Sequence, residues 1–374
     1  TIEEEGLAEL VKDVTESGML KFSPLPVEAD AFIIAVPTPI KEDKKADMKF
    51  VSAATRELAT VLKKGDLVVL ESTSPVGTVD SLMVPILEEI TGLKAGRDFS
   101  IGHSPERVIP GRIIYELVNN SRIAGGFDAG SSRRIKELYA SFVKGDIYEA
   151  DSRTAELCKL AENTYRDVNI AFANELARIC EAEGVNVWEL ISLCNRHPRV
   201  NIHQPGPGVG GHCVAVDPWF IVEKEPSLAR MIRLSREIND SMPAHVADRA
   251  QEILKGVEDA KICILGISYK PDADDIRESP ILKLADILRE RGFELSLQDP
   301  HAHGRAGALE DMGEAAAGAD LLVIGVNHSV YKSLDYKALA GVMRSLNLLD
   351  TRGFADIAAA ASAGFSCYLL GDRR

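Results

Sequence analysis

The sequence predicts an α/β protein: two Rossmann-like parallel-sheet domains joined by a central layer of long helices. Three observations lead there. Short apolar runs alternate with amphipathic stretches over residues 1–150. Two long helical patterns fall within residues 151–256. A second strand-and-helix alternation occupies residues 257–374.

Leu7, Leu10, Val11 and Val14 open the chain with a helical pattern. Residues 31–36, 67–70 and 122–124 read as strands, and 51–62 and 134–142 as helices. The first strand runs into Pro37-Thr38-Pro39 and the second into Glu71-Ser72-Thr73-Ser74-Pro75. Ligands of doubly wound sheets bind off the carboxyl ends of strands, where small hydroxyls can hydrogen-bond a cofactor. Ser, Thr and Pro are equally ordinary turn residues. Residues 152–183 form one helical pattern, closed by Gly184. Lys159 and Asn163 share a face of it and could donate to a developing oxyanion or simply meet solvent. A second long pattern spans about 227–255. Strands then read at 261–266, 293–297, 321–326 and 346–349, with Ser279-Pro280 as N-cap and first residue of a helix. Asp299 falls where a ribose-binding acid lies in a dinucleotide domain. The preceding loop is not glycine-rich and supplies Lys270 and Arg277, suited to phosphate and ribose.

The chain has 374 residues, 45% apolar and 27% charged, with a net charge of −14. That balance is normal for a globular protein and argues against nucleic acid or an anionic membrane as partner. No apolar run suggests a membrane span, and no signal peptide pattern opens the chain, so a cytoplasmic location is expected. The six cysteines lack paired spacing and read as reduced thiols.

One of them, Cys213, sits in Gly206-Pro207-Gly208-Val209-Gly210-Gly211-His212-Cys213-Val214-Ala215-Val216-Asp217-Pro218. Glycines let this backbone approach a ligand closely. The thiol is a candidate nucleophile, or else a small hydrophobe in a core. Gly206, Gly208 and Gly211 also satisfy G-x-G-x-x-G, but no strand precedes them, and the dinucleotide reading is rejected. His197, His203, His212, Cys213 and Asp217 carry metal-type donors without metal-site spacing, and no metal is expected.

Seven collinear segments together resemble the UDP-glucose/GDP-mannose dehydrogenase family. They are Ala35-Val36-Pro37-Thr38-Pro39, Glu71-Ser72-Thr73-Ser74-Pro75-Val76-Gly77-Thr78, Ser104-Pro105-Glu106-Arg107, Lys159-Leu160-Ala161-Glu162-Asn163, the Cys213 loop, residues 266–280, and Leu349-Asp350-Thr351-Arg352. Gly-Val-Gly-Gly-His-Cys followed by Val-Asp-Pro, with His197-Pro198-Arg199-Val200-Asn201, resembles the branch acting on UDP-N-acetyl-D-mannosamine, near that acting on UDP-N-acetylglucosamine. UDP-glucose enzymes of the family instead resemble Gly-Phe-Gly-Gly-Ser-Cys. The family begins with a strand, a glycine-rich turn and an acidic residue ending the second strand. This sequence contains none of these, and an upstream segment is expected; a truncated, merely nucleotide-sugar-binding form is the alternative.

The resemblance implies a four-electron oxidation of a sugar C6 hydroxyl to a carboxylate with two NAD. It implies a partial NAD-binding domain at 1–150, a dimer-forming and catalytic-loop region at 151–256, and a UDP-sugar-binding domain at 257–374. It gives Cys213 the role of nucleophile, Lys159 and Asn163 that of oxyanion stabilisers, and Asp217 and Glu106 that of carboxylates serving water or protons. Val36, Thr38, Ser72, Thr73 and Arg277 would contact NAD. Arg107, Val108, Arg166, Gly210, Tyr269, Lys270 and Arg352, with Lys159 and Asn163, would hold the UDP-sugar. His197 and Arg199 would come from the partner subunit of a homodimer or dimer of dimers.

Overall fold

The computed structural model describes Glu4, residues 6–109 and residues 111–373. The chain divides into two compact units. One comprises residues 1–162 with 219–228, the other residues 163–218 with 229–374.

The first unit holds a five-stranded sheet in the order β1 (Ala31–Ile34), β2 (Leu67–Leu70), β3 (Ser100–His103), β4 (Arg122–Gly126), β5 (Ile147–Asp151). Its helices are α1 (Leu7–Glu16), α2 (Lys49–Ala59), α3 (Val84–Thr91), α4 (Ile113–Asn119) and α5 (Ala129–Ala140). The period of two in β2 sorts its side chains between two faces. Val68 and Leu70 join Val51, Leu58, Leu87 and Ile101 on the α2 and α3 side, whereas Leu67 and Val69 join Ile135 and Tyr139 of α5. β1 stops at Ile34, two residues short of the expected end, because the Ser72 hydroxyl replaces a ladder partner. It accepts from the Val36 N–H at 2.7 Å and donates to the Val36 carbonyl at 2.8 Å. One pair, β3 with β4, runs antiparallel where only parallel pairing was expected. Gly102 and Gly125 meet at that crossing, so closely that a Cβ on Gly102 would strike the Gly125 carbonyl.

The second unit takes up the long helix α6 (Ser152–Glu183), which begins in the first. At 1.5 Å per residue its 32 residues extend about 48 Å. Gly184, at φ 68°, ends it. After α7 (Val187–Cys194) and α8 (Asp217–Lys224) comes α9 (Arg230–Ile253), which carries Pro243 inside it. A proline has no N–H, so the Asn239 carbonyl one turn earlier loses its helical donor.

The second sheet is wholly parallel, in the order β10-β9-β8-β6-β7. Its elements are β6 (Lys261–Leu265), α10 (Pro280–Glu290), β7 (Glu294–Gln298), α11 (Met312–Ala316), β8 (Leu321–Ile324), α12 (Tyr336–Val342), β9 (Asn347–Asp350), α13 (Ile357–Ser362) and β10 (Ser366–Leu369). Ser279 caps α10 by accepting from the Ile281 N–H, with Pro280 in the first turn, as expected. Met242, Val246 and Ala250 of α9 pack with Ile262, Ile264, Leu284 and Leu288 under one face of the sheet. The chain leaves β6 toward β7 and crosses back to β8. The carboxyl ends of β6 and β8 therefore form a topological switch point, the place where open sheets of this kind bind ligands.

Candidate active site

In the second unit the Cys213 loop is a seated segment. The carbonyl of partly buried Cys213 accepts from the N–H groups of Val216 and Asp217, at 3.0 and 2.8 Å, and so begins the turn that becomes α8. The Asn163 side-chain amide, from α6, donates to Asp217 Oδ2 at 2.6 Å, and both residues are buried. Two residues with expected catalytic roles therefore meet. The glycines admit protein as closely as they could admit a ligand. A Cβ on Gly206 would lie 2.6 Å from the Arg352 guanidinium, one on Gly210 2.6 Å from the Glu278 carbonyl, and one on Gly211 2.8 Å from the Tyr269 ring. The Gly211 N–H donates to the Arg277 carbonyl at 3.1 Å.

A buried relay that the sequence patterns did not reveal holds the start of this loop. Asn174 Oδ1 accepts from the Gly206 N–H at 2.9 Å, and its amide donates to Asn239 Oδ1 at 2.8 Å. Asn239 donates in turn to Asp167 Oδ1 at 2.8 Å, which also takes Arg236 at 2.5 Å. The available sequence signal was Asn174 alone among alanines on the inner face of a helix.

The 267–278 loop leaves β6 at the switch point and carries Tyr269, Lys270 and Arg277. Arg277 is exposed and grips Asp275 with Nε and Nη2, its Nη2 contact being 2.6 Å. The Lys270 ammonium lies 5.9 Å from the Tyr269 ring centre. Asp299 anchors this loop, both its oxygens being engaged by the protein's own donors. Fully buried, it accepts from the N–H groups of Ile267, Ser268, His301 and Ala302 and pairs with His328 Nε2 at 3.1 Å. Burial opposes its charge, but His328 and these amides hold its carboxyl far below the usual range. Asp272, His301 and His328 gather their donor atoms within 4.8 Å of one another. His328 Nδ1 already accepts from the Asp272 N–H at 2.9 Å, so both ring nitrogens are committed and the group is a hydrogen-bonded lock. Arg352, just past β9, donates from Nε to the Gly325 carbonyl at 2.9 Å. Arg166 lines an open hollow of about 660 Å³ with Trp188, Asn195, Asn201 and His203. His197 and Arg199 are exposed, and the Arg199 N–H donates to His197 Nδ1 at 3.3 Å.

The first unit carries the other residues. The Val36–Ser72 bonds bring the carboxyl ends of β1 and β2 together, and partly buried Thr38 and Thr73 lie on the two segments so joined. Glu156, on α6 and buried, accepts from the Gly77 N–H at 2.5 Å and the Val79 N–H at 2.9 Å, pinning the far end of the Thr73 loop. Burial pushes its carboxyl up to about 7 against those two amides. Lys159, partly buried, follows one turn later. His103 is fully buried at the end of β3, and burial pushes its imidazole down to about 3. Beyond it, Glu106 Oε1 accepts from the Arg107 and Val108 N–H groups at 2.5 and 3.0 Å, and Oε2 from Arg122 at 2.6 Å. The Arg107 guanidinium pairs with Glu162 at 2.6 Å.

Residues 1–143, 153–241 and 263–357 match, in order, the NAD binding, central and UDP binding domains of the UDP-glucose/GDP-mannose dehydrogenase family. The chain is 44% identical to a UDP-N-acetyl-D-mannosamine dehydrogenase of Methanocaldococcus jannaschii over 99% of its own length and 86% of that protein. It is 45% identical to an NDP-N-acetyl-D-galactosaminuronic acid dehydrogenase of Ralstonia solanacearum, over 94% of this chain and 85% of that one. A solved UDP-N-acetyl-D-mannosamine dehydrogenase from Pyrococcus horikoshii superimposes with a TM-score of 0.91 at 39% identity, covering 99% of this chain and 88% of its own. The fold is that of an NAD-dependent nucleotide-sugar dehydrogenase. The chain belongs to the UDP-glucose/GDP-mannose dehydrogenase family. The adjacent carboxyl ends of β1 and β2, with Thr38 and Thr73, fit part of an NAD molecule; when bound, NAD supplies the hydride acceptor. Among the described residues, no helix is long and apolar enough to cross a membrane.

Proposed function

We propose that this chain oxidises the C6 hydroxyl of UDP-N-acetyl-D-mannosamine to the uronate, with Cys213 as nucleophile, to supply a precursor for surface polysaccharide in the cytoplasm. The observation that carries the reading is the Cys213–Asp217 turn with Asn163 bonded into it. The named substrates of the relatives supply the sugar class.

Atoms and electrons balance over two oxidations. In the first, the hydroxyl proton would pass to Lys159 as the carbon gives up a hydride to the acceptor that bound NAD supplies, leaving the aldehyde. The Cys213 thiolate adds to the aldehyde carbon and leaves its charge on the oxygen; this thiohemiacetal anion would give up the second hydride to the acceptor that bound NAD supplies, leaving a thioester. Water, assisted by Asp217 or Glu106, cleaves the C–S bond and releases carboxylate and thiol. Lys159 and Asn163 offer N–H donors to the oxyanions of these steps. Arg107, Val108, Arg166, Gly210, Tyr269, Lys270 and Arg352 hold the UDP-sugar, and Val36, Thr38, Ser72, Thr73 and Arg277 the NAD.

His197 and Arg199 serve a partner subunit. Tyr165, Phe172 and Ile179, spaced by seven along α6 and 66%, 49% and 51% exposed, support a homodimer formed on that helix. The Ralstonia relative favours a second reading, a galacto-configured N-acetyl sugar. NAD reduction with a panel of UDP-N-acetylhexosamines and UDP-glucose tests both. Turnover on UDP-glucose alone would overturn the N-acetyl assignment, and a galacto preference would select the second reading.

A further inference from the structure

We infer that Arg122 is the positioning residue for Glu106, holding that carboxylate at the edge of the sheet where the reaction takes place; this rests on the reading of Glu106 as a group that serves water or protons. Arg122 is the first residue of β4 and is 5% exposed. A charge buried there is unfavourable unless it is paired. Its guanidinium reaches two carboxylates with two separate nitrogens: Nη1 donates to Glu71 Oε1 at 2.9 Å and Nη2 to Glu106 Oε2 at 2.6 Å. The Tyr139 ring centre lies 4.2 Å from the guanidinium carbon, and the Tyr139 hydroxyl donates to the same Glu71 oxygen at 2.5 Å.

The topology makes this possible. β4 runs antiparallel to β3, with His103 opposite Gly125 and Gly102 opposite Gly126. Its first residue therefore lies beyond the carboxyl end of β3, where Ser104-Pro105-Glu106 leaves the sheet. A parallel β4 would have carried Arg122 to the opposite end. The other donors to Glu106, the Arg107 and Val108 N–H groups, belong to its own segment and move with it. Of the three hydrogen bonds that reach the Glu106 carboxylate among the described residues, that from Arg122 is the one from another strand. Glu71, on the other arm, directly precedes the Ser72-Thr73 pair. One planar cation thus fixes the exits of β2 and β3 together, which a lysine, with its single nitrogen, does less well.

The test is a double-mutant cycle on the full chain, reading kcat and both KM values. Glu106→Gln is expected to lower kcat about a hundredfold, in the range of general acid–base groups. Arg122→Lys is expected to lower kcat about tenfold or more with both KM values within about twofold, yet to add almost nothing in the Glu106→Gln background. Glu71→Gln, which leaves Arg122 in place but removes the hold on its other arm, repeats the cycle should Arg122→Lys unfold; it is expected to lower kcat severalfold, again only when Glu106 is present. A full, additive loss in the Glu106→Gln background would make Arg122 a stabiliser of the fold and overturn the inference. An unimpaired Glu106→Gln enzyme would instead remove the reading of Glu106 on which the inference rests.

Discussion

Asn163 donates its side-chain amide to Asp217 across 2.6 Å, and the two residues come from different parts of the chain to make that bond while buried. The carboxylate is thereby fixed beside the turn that begins at Cys213. Asn163→Ala should leave Asp217 without this donor. The expected loss is about 1.5–3 kcal/mol of stability, from one hydrogen bond to a charged group, together with a kcat drop of about a hundredfold if the amide also serves an oxyanion. Urea unfolding and steady-state kinetics on the same preparation measure both. Loss of stability with normal kcat would reduce Asn163 to a structural residue.

Cys213→Ser should nearly abolish NADH formation while UDP-sugar binding, followed by calorimetry, persists. A serine hydroxyl is far harder to ionise near neutral pH than a thiol, so the aldehyde adduct does not form. Normal uronate production by the serine variant would contradict the covalent route.

Lys270→Ala should raise the KM for the UDP-sugar much more than Cys213→Ser alters its affinity. Lys270 stands on the loop leaving the switch point, beside Tyr269. A charge-assisted hydrogen bond contributes roughly 1.5–3 kcal/mol, so a weakening of about tenfold or more is expected. UDP titration of the variant checks this, and unchanged affinity would move the nucleotide away from this loop.

Glu156 gives a pH prediction. Burial raises its carboxyl from 4.5 to about 7 in the folded chain. The folded state therefore holds this proton more tightly than the unfolded one, and the contribution is complete below the unfolded value of 4.5 and is lost as pH rises through about 7. Glu156→Gln cannot ionise. Its melting temperature should fall less between pH 5 and pH 8 than that of the wild type, by several degrees. Thermal melts at the two pH values compare the slopes; parallel slopes would show that Glu156 ionises as readily folded as unfolded.

The long, strongly periodic elements were legible in the sequence. The 152–183 helix, its glycine stop and the Leu67–Leu70 strand lie where the pattern places them. β3, β5 and β10 were not found, because Ser-Ile-Gly-His, Ile-Tyr-Glu-Ala-Asp and Ser-Cys-Tyr-Leu are short and carry polar or glycine residues that blur a period of two. Asn163 and Asp217 were legible as candidate site residues, and the two are hydrogen-bonded. Arg122 was not, because its value depends on an antiparallel pairing that no local pattern announces. Asp299 stands where an acid can bind a ribose or tie down backbone amides, and only the surrounding donors distinguish the two.

The first unit's dependence on residues 219–228 has a consequence for how the chain is made. Phe220 and Val222 are buried, the Ala46 N–H donates to Glu223 at 2.9 Å, and Lys44 lies over the Trp219 ring at 5.9 Å. A ribosome releases these partners about 66 residues after the rest of that unit, a delay of several seconds at roughly 5–20 residues per second. Until then the nascent unit lacks those contacts, while residues 163–218 are already outside and searching for their own. The order of synthesis and the order of folding are therefore interleaved along this polypeptide, and a slow stretch of translation just before residue 219 would prolong the time for which the first unit stands open.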